Sequence, residues 1–161
     1  MNNKKASVAY ATLKGNPKYP EIHGLVIFRN VKDGVIVSAE VEDLPEYQPA
    51  TATSQPIGPF GFHLHENGDC DMQPNEGAFM AAGGHWNPDN QPHGNHAGDF
   101  PVLFSNNGKL KMSFFTNRFK VADIIDRAVV IHENPDDYRT QPSGNSGERI
   151  ACGVIEAYSR H

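Results

Sequence analysis

The sequence predicts an all-β fold, an eight-stranded antiparallel Greek-key sandwich or flattened barrel with long loops between some of its strands. Three observations carry this prediction. Short runs of β-branched and aromatic residues alternate with polar ones, turn dipeptides separate several of these runs, and the chain holds 15 glycines and 12 prolines. Short strands with frequent turn signals are typical of sandwiches and barrels.

The composition limits the class of protein. A chain of 161 residues predicts a single domain, residues 1–161, that is long enough to bury a sizeable core. A net charge of -5 argues against nucleic-acid binding, and no apolar run reaches the ~20 residues of a membrane helix. The start of the chain lacks an apolar signal-peptide core. We therefore expect a cytoplasmic protein, with an exported or periplasmic mature chain as the alternative.

The first three strands are predicted at residues 6–13, 23–31 and 35–44. Lys32-Asp33-Gly34 separates the last two, and Asp-Gly between such runs is a strong hairpin signal. The third strand alternates apolar and polar residues from Val35 to Val41, which predicts one buried face. The second strand is apolar on both faces from Leu25 to Phe28, so a homodimer that covers its outer face is one expectation.

Five further strands follow a proline-rich loop at residues 46–59. They are predicted around His63–His65 and at residues 101–105, 109–115, 128–132 and 150–158. Asn106-Asn107-Gly108 predicts a hairpin between the second and third of these, and residues 121–126 are interpreted as one helical turn. The stretch 71–98 lacks a strand pattern, and an irregular segment of that length is usually either functional or a sign that an element has been assigned wrongly. The stretch 133–149 is interpreted as a polar loop rich in glycine and proline.

Histidines concentrate in the first of these stretches and at two strands. His63 and His65 are two residues apart on one strand, so their side chains point to the same face and can reach one ion. His132 ends a β-branched run and can approach from a second strand, and His85 follows two glycines in a loop that can bend. Imidazole suits copper and zinc.

A second group of metal-ligand residues follows at short intervals. His93, His96 and Asp99 lie among glycines, and with one more histidine they make up the four ligands of a zinc site. The sequence therefore predicts a two-metal site in long loops. The remaining histidines, His23 and His161, are interpreted as surface or hydrogen-bonded residues.

Several separated motifs occur in a specific order: G-F-H-L-H-E-N-G-D-C, A-G-G-H-W-N-P, H-A-G-D, V-V-I-H-E and G-N-S-G-E-R-I-A-C-G-V-I. Together they resemble the copper–zinc superoxide dismutases over most of the chain. The resemblance implies dismutation of superoxide to dioxygen and hydrogen peroxide by copper redox cycling, with a structural zinc. It implies the copper ligands His63, His65, His85 and His132. It implies the zinc ligands His85, His93, His96 and Asp99, so that His85 bridges both metals.

The resemblance also implies roles outside the ligand sets. His85 and Arg149 resemble the family's catalytic residues: the histidine exchanges a proton, and the arginine attracts and docks the superoxide anion. Asp136 resembles the carboxylate that links a copper ligand to a zinc ligand. Cys70 and Cys152 resemble the family's intrachain disulfide.

Two features differ from the family pattern. His93 and His96 are only three residues apart, so we expect zinc to be held less tightly than copper. The segment from His132 to Arg149 is also shorter than in the animal enzymes.

Three other functions stay open. A copper-binding module without turnover would keep the histidines but would need neither Arg149 nor a shared ligand. A dismutase-like protein that had lost copper would lack histidines at the copper positions, whereas all four are present here. A zinc hydrolase would need a general base beside an open zinc position.

Overall fold

A computed structural model describes residues 6–159, which contain seven strands in one curled antiparallel sheet and no α-helix. The strands are β1 (Val8–Gly15), β2 (His23–Val31), β3 (Gly34–Glu42), β4 (Gly61–His65), β5 (Leu110–Thr116), β6 (Ala128–His132) and β7 (Arg149–Ala157). Their order in the sheet is β4-β6-β7-β1-β2-β3-β5. The all-β prediction is thus confirmed. His161 and residues 1–5, which bear on the signal-peptide expectation, lie outside the described residues.

The helical segments are short. They are two 3-10 helices, Met80–Ala82 and Val121–Asp123, and the second lies where a single helical turn is predicted. Between residues 6 and 159, no helix is long and apolar enough to cross a membrane.

The β2–β3 hairpin forms as predicted. Val31 pairs with Gly34, so Lys32 and Asp33 are the two turn residues. Asp33 has a φ of 66°, a left-handed conformation that aspartate tolerates better than most residues. The alternation in β3 buries its apolar residues against the core and leaves Glu40 and Glu42 outside.

The count of eight strands is wrong, because residues 101–105 form no strand beside residues 109–115. The predicted turn between them does form, with a bridge between Asn106 and Lys109. β5 pairs with β3 along its whole length instead. Leu103 makes only a single bridge, to Phe60. Pro101 lacks the N–H that a ladder would need at that position.

The chain before Pro101 covers the free edge of β4 irregularly. Leu64 N donates to Gly98 O at 3.0 Å, and His63 and Asp99 form an isolated bridge. This irregular edge brings Asp99 beside the histidines of β4, a position that a regular hairpin would not provide.

β4 and β6 are buried along their full length. One face packs on the main core, and the long loop 66–98 covers the other. The loop is attached through a small apolar cluster that contains Phe79, Ala82, Ala128, Val130 and Cys152. The predicted disulfide between Cys70 and Cys152 is confirmed, with a Cα–Cα distance of 5.8 Å, and it joins this loop to β7.

Candidate metal centre

Four imidazoles meet where β4, β6 and the long loop come together. We call His63, His65, His85 and His132 the first cluster; one ring nitrogen of each lies within 4.8 Å of the others. β4 supplies His63 and His65, β6 supplies His132, and a bridge between His65 and His85 brings in the loop. All four side chains are buried or nearly so.

Backbone carbonyls fix the tautomers of two of these rings. His65 Nδ1 donates to Gly83 O at 2.9 Å, and His132 Nδ1 donates to Gly147 O at 3.3 Å. A carbonyl can only accept, so in both rings the proton is on Nδ1 and Nε2 carries a lone pair. The two Nε2 atoms are 3.2 Å apart, and two facing lone pairs at that distance call for a cation between them.

The other two members of the first cluster have buried nitrogens without a partner. His63 Nε2 donates to the Asp136 carboxylate at 2.6 Å, which leaves His63 Nδ1 buried and unbonded. His85 Nε2 is likewise buried and unbonded. Buried polar atoms are almost always paired, so these orphans indicate a missing partner. Four nitrogen donors therefore converge on one point.

The second cluster consists of His85, His93, His96 and Asp99, whose ligand atoms also lie within 4.8 Å of one another. The nearest Asp99 oxygen is 3.3 Å from Nδ1 of each of the three histidines. His93 Nδ1 and Asp99 Oδ1 are buried without a hydrogen-bond partner. Three nitrogens and one carboxylate thus converge on a second point.

A tight turn allows ligands so close in sequence to converge. Asp99 Oδ2 accepts the N–H groups of Gly94 at 2.8 Å and of His96 at 3.0 Å. Gly94 has a φ of +93°, and a side chain there would overlap the Tyr138 carbonyl. The short interval between His93 and His96 therefore does not prevent both side chains from reaching the second cluster. The weaker zinc affinity expected from that interval stays a prediction.

His85 belongs to both clusters through different nitrogens. Its Nδ1 lies 3.3 Å from both His96 Nδ1 and Asp99 Oδ1, while its Nε2 is the orphan on the side of the first cluster. One imidazole can bind two ions in this way only when both nitrogens are deprotonated.

Burial keeps three histidines of the first cluster, His63, His65 and His132, neutral. It lowers the pKa of His63 and of His65 well below the ordinary value, and the neighbouring imidazoles add to the effect. It lowers the pKa of His132 to about 3. At neutral pH these rings carry no extra proton that a metal ion would have to displace.

Asp99 is held in its charged form. Burial by itself would raise its pKa, but the adjacent His85, the nearby His93 and the backbone N–H of His96 lower it to about 2. Burial also lowers the pKa of His96. The second cluster thus offers a metal ion one negative charge, on Asp99, at neutral pH.

A family model described as copper/zinc superoxide dismutase matches residues 22–155. The chain belongs to this family. The Cu-Zn superoxide dismutase of Legionella pneumophila is 40% identical over 145 residues, covering 85% of this chain and 80% of that protein. The solved structure of the Cu/Zn superoxide dismutase from Brucella abortus has a TM-score of 0.73 at 29% identity and covers 92% of this chain and 99% of its own. A double mutant of a superoxide dismutase-like protein from Bacillus subtilis has a TM-score of 0.73 at 32% identity and covers 92% and 97%.

The two donor sets fit the two metals of the superoxide dismutase family. Four imidazole nitrogens suit copper, and three imidazoles with one carboxylate make a closed zinc set. The orphaned nitrogens of His63, His85 and His93 and the orphaned oxygen of Asp99 are the atoms that such ions would satisfy.

Asp136 and Arg149 both lie beside the clusters and make hydrogen bonds there. Asp136 links the clusters, since it accepts from His63 Nε2 at 2.6 Å and from His93 Nε2 at 2.8 Å. Arg149 donates to Phe79 O at 2.9 Å and to Gly83 O at 2.7 Å. It therefore holds the loop just before His85.

Some groups at the site were not predicted from the sequence. The Gly83 carbonyl accepts from both His65 and Arg149, and the Gly147 carbonyl orients His132. Gln141 bonds to the backbone of His93. Backbone carbonyls leave no residue-type signal, and a single glutamine in a polar loop is too common to stand out. The unassigned histidine within the described residues, His23, is exposed.

Proposed function

We propose that this chain, as a single domain of residues 1–161, converts two superoxide anions and two protons into dioxygen and hydrogen peroxide. In this proposal the first cluster holds copper and the second holds zinc, with His85 shared. The observation that carries it is the position of His85, whose two nitrogens face different clusters. Bound copper would supply the one-electron redox chemistry, and bound zinc would hold the shared ring in place.

His85 is the residue proposed to handle the proton. Its Nε2 is buried and has no protein partner, so a proton on that atom can be passed only to a group that enters the first cluster. Its Nδ1 is surrounded by the donors of the second cluster, which leaves Nε2 as the only nitrogen free to gain or lose a proton.

Arg149 is proposed to dock the anion. Two of its N–H groups are used on the carbonyls of Phe79 and Gly83, which fixes the guanidinium plane and leaves further donors. Burial lowers the pKa of Arg149, yet a guanidinium stays charged in proteins. A fixed positive charge beside the first cluster suits a small anion.

Metal analysis combined with a superoxide assay tests the function. Purified protein reconstituted with both metals should hold about one copper and one zinc and should consume superoxide. His85→Ala should disturb both metals and abolish turnover, whereas His23→Ala, at an exposed histidine, should change neither. Full copper and zinc in His85→Ala would contradict the shared-ligand assignment.

A metal-binding relative without turnover is the second candidate. The observation in its favour is that one protein of similar structure, from Bacillus subtilis, is described only as superoxide dismutase-like. Full loading with both metals and no superoxide consumption would decide for this candidate.

The assembly and the compartment are further proposals. A homodimer would cover the outer face of β2, where Leu25 is 39% exposed and Ile27 half-buried, and a Leu25→Glu variant that stays dimeric in sedimentation would contradict it. Superoxide is proposed as the only partner besides the metals, without nucleic acid or membrane. The cytoplasm remains the proposed compartment, while the disulfide favours the exported alternative.

A further inference from the structure

Gln141 holds the backbone of His93 through both of its polar groups. Its Oε1 accepts from His93 N at 2.8 Å, and its Nε2 donates to His93 O at 3.2 Å. The carboxamide therefore pairs with His93 as the peptide group of a neighbouring strand would. Within residues 6–159, the backbone N–H and C=O of His93 bond to no other group.

The segment that carries Gln141 is fixed by its own hydrogen bonds. The Asp137 carboxylate accepts from Arg139 N at 2.9 Å and from Thr140 N at 2.8 Å, and Gly144 N donates to Thr140 O at 2.7 Å. Gln141 Nε2 also donates to Arg139 O at 3.2 Å, which orients the amide. Little side-chain freedom remains to be lost when the amide bonds to His93.

The same segment also holds the imidazole ring of His93 by a hydrogen bond. Asp136 accepts from His93 Nε2 at 2.8 Å, and the Tyr138 hydroxyl donates to Phe100 O at 2.8 Å, directly after Asp99. The His93 side chain is fully buried. With its backbone and one nitrogen both held, the ring can direct Nδ1 only at the second cluster.

We propose that Gln141 is a positioning residue for the second metal: by clamping the backbone of His93, it slows the release of zinc. The proposal rests on the proposed zinc role of His93. Because His93 and His96 share one tight turn, a shift of the His93 backbone would move two of the four zinc ligands together. The first cluster bonds to Gln141 nowhere in the described residues, so copper binding should not depend on it.

Zinc transfer to a chromogenic chelator tests the clamp. Gln141→Met keeps nearly the length of the side chain but removes both hydrogen bonds to the His93 backbone. Gln141→Ala removes the side chain beyond Cβ. We expect both variants to release zinc about tenfold faster than the parent, as for other residues that support a metal ligand. Gln55→Ala, in the exposed loop 46–59, is the matched control and should release zinc at the parent's rate.

Two further readouts separate positioning from general stability. With cobalt in the second cluster, the visible absorption bands of both Gln141 variants should differ from the parent's. Copper content and the thermal unfolding of the metal-free protein should be unchanged.

Three outcomes would overturn the proposal. In the first, Gln141→Met keeps the parent's release rate and cobalt spectrum, which would assign any effect to packing. In the second, copper and metal-free stability are lost together with zinc, which would make Gln141 a general structural residue. In the third, the parent takes up neither zinc nor cobalt, which would overturn the proposed function as well.

Discussion

Among single residues, Asp136 has the widest influence on the metal centre. Its two oxygens accept one N–H from His63 and one from His93, so a single carboxylate sets the tautomers of a ring in each cluster. Tyr138 N also donates to it at 2.7 Å. Such partners keep the metal-facing nitrogen of a ligand unprotonated.

Asp136→Asn should weaken metal binding about 10- to 100-fold. An amide offers one acceptor and one donor, so its NH2 would face an imidazole N–H, and that ring would have to move its proton to the metal side. Chelator competition for copper and zinc measures the loss. Asp33→Asn is the control, since Asp33 lies exposed in the β2–β3 turn, where asparagine tolerates the same backbone conformation. Equal affinities in the two variants would contradict the prediction.

The buried histidines predict an acid-sensitive metal-free protein. Below pH 6.5 the unfolded chain takes up protons on His63, His65 and His132 that the folded chain does not, because their folded pKa values are lowered, that of His132 to about 3. The unfolding free energy should therefore fall as the pH drops from 6.5 towards 4, and His132 alone should contribute ~1.4 kcal/mol per pH unit to this fall.

Urea unfolding of the metal-free protein at several pH values measures this slope. In His132→Gln the slope should correspond to the uptake of one proton fewer on unfolding. A stability that is flat between pH 6.5 and pH 4 would contradict the prediction.

Among the elements, the long loop 66–98 depends on β7 for its position. The disulfide joins Cys70 to Cys152, and Arg149 at the start of the same strand bonds to Phe79 O and Gly83 O. One strand therefore holds the loop by a covalent bond and by a side chain.

Breaking the disulfide with Cys70→Ser should destabilise the fold and loosen the loop. The bridge spans 82 residues, and closing a loop of that size is worth roughly 4 kcal/mol in the chain-entropy model. The unreduced parent should be two hydrogens lighter than its dithiol form, and reductant should lower its thermal stability. Reductant should have no such effect on Cys70→Ser. Two thiols that alkylate freely in the native parent would contradict the disulfide.

The elements also show how much of the fold can be predicted from the sequence. Strong local signals such as the Lys32-Asp33-Gly34 turn predict the β2–β3 hairpin correctly. The Asn106-Asn107-Gly108 turn forms too, with a bridge between Asn106 and Lys109, but the predicted strand before it does not, because Leu103 bonds to Phe60 instead. Local patterns fail where long-range contacts made by the metal loop decide the structure.

At the candidate metal centre, too, local sequence signals predict part of the structure and long-range contacts decide the rest. Histidines on two strands indicate the first cluster, and closely spaced histidines with an aspartate among glycines indicate the second, because these side chains carry the chemistry themselves. The clamp by Gln141 escapes sequence reasoning because it acts on the His93 backbone across 48 residues, with a common residue type.

For the whole molecule, charge opposes the proposed substrate. A net charge of -5 repels an anion at long range, so efficient capture needs a local positive field at the first cluster. Arg149 supplies a fixed cation there.

Arg149→Glu should therefore slow superoxide consumption by roughly 10- to 1,000-fold, and Arg149→Lys should slow it less. Added salt screens attraction in the parent, so its rate should fall, whereas the rate of Arg149→Glu should rise or stay level. Catalytic rates against ionic strength for the three proteins measure this, with metal content as the control. Identical rates and salt slopes would mean that Arg149 does not guide the substrate.

The strand order also bears on how the protein is made. β4 and β6 carry three histidines of the first cluster, and in the sheet they join β1, β2, β3 and β5 only through β7. Of the seven strands, β7 leaves the ribosome last. Until then, two strands that are buried along their whole length in the folded protein have no sheet to complete them. The sheet that carries the first cluster can therefore be completed only after β7 has been synthesised, and until then the nascent chain needs protection from aggregation.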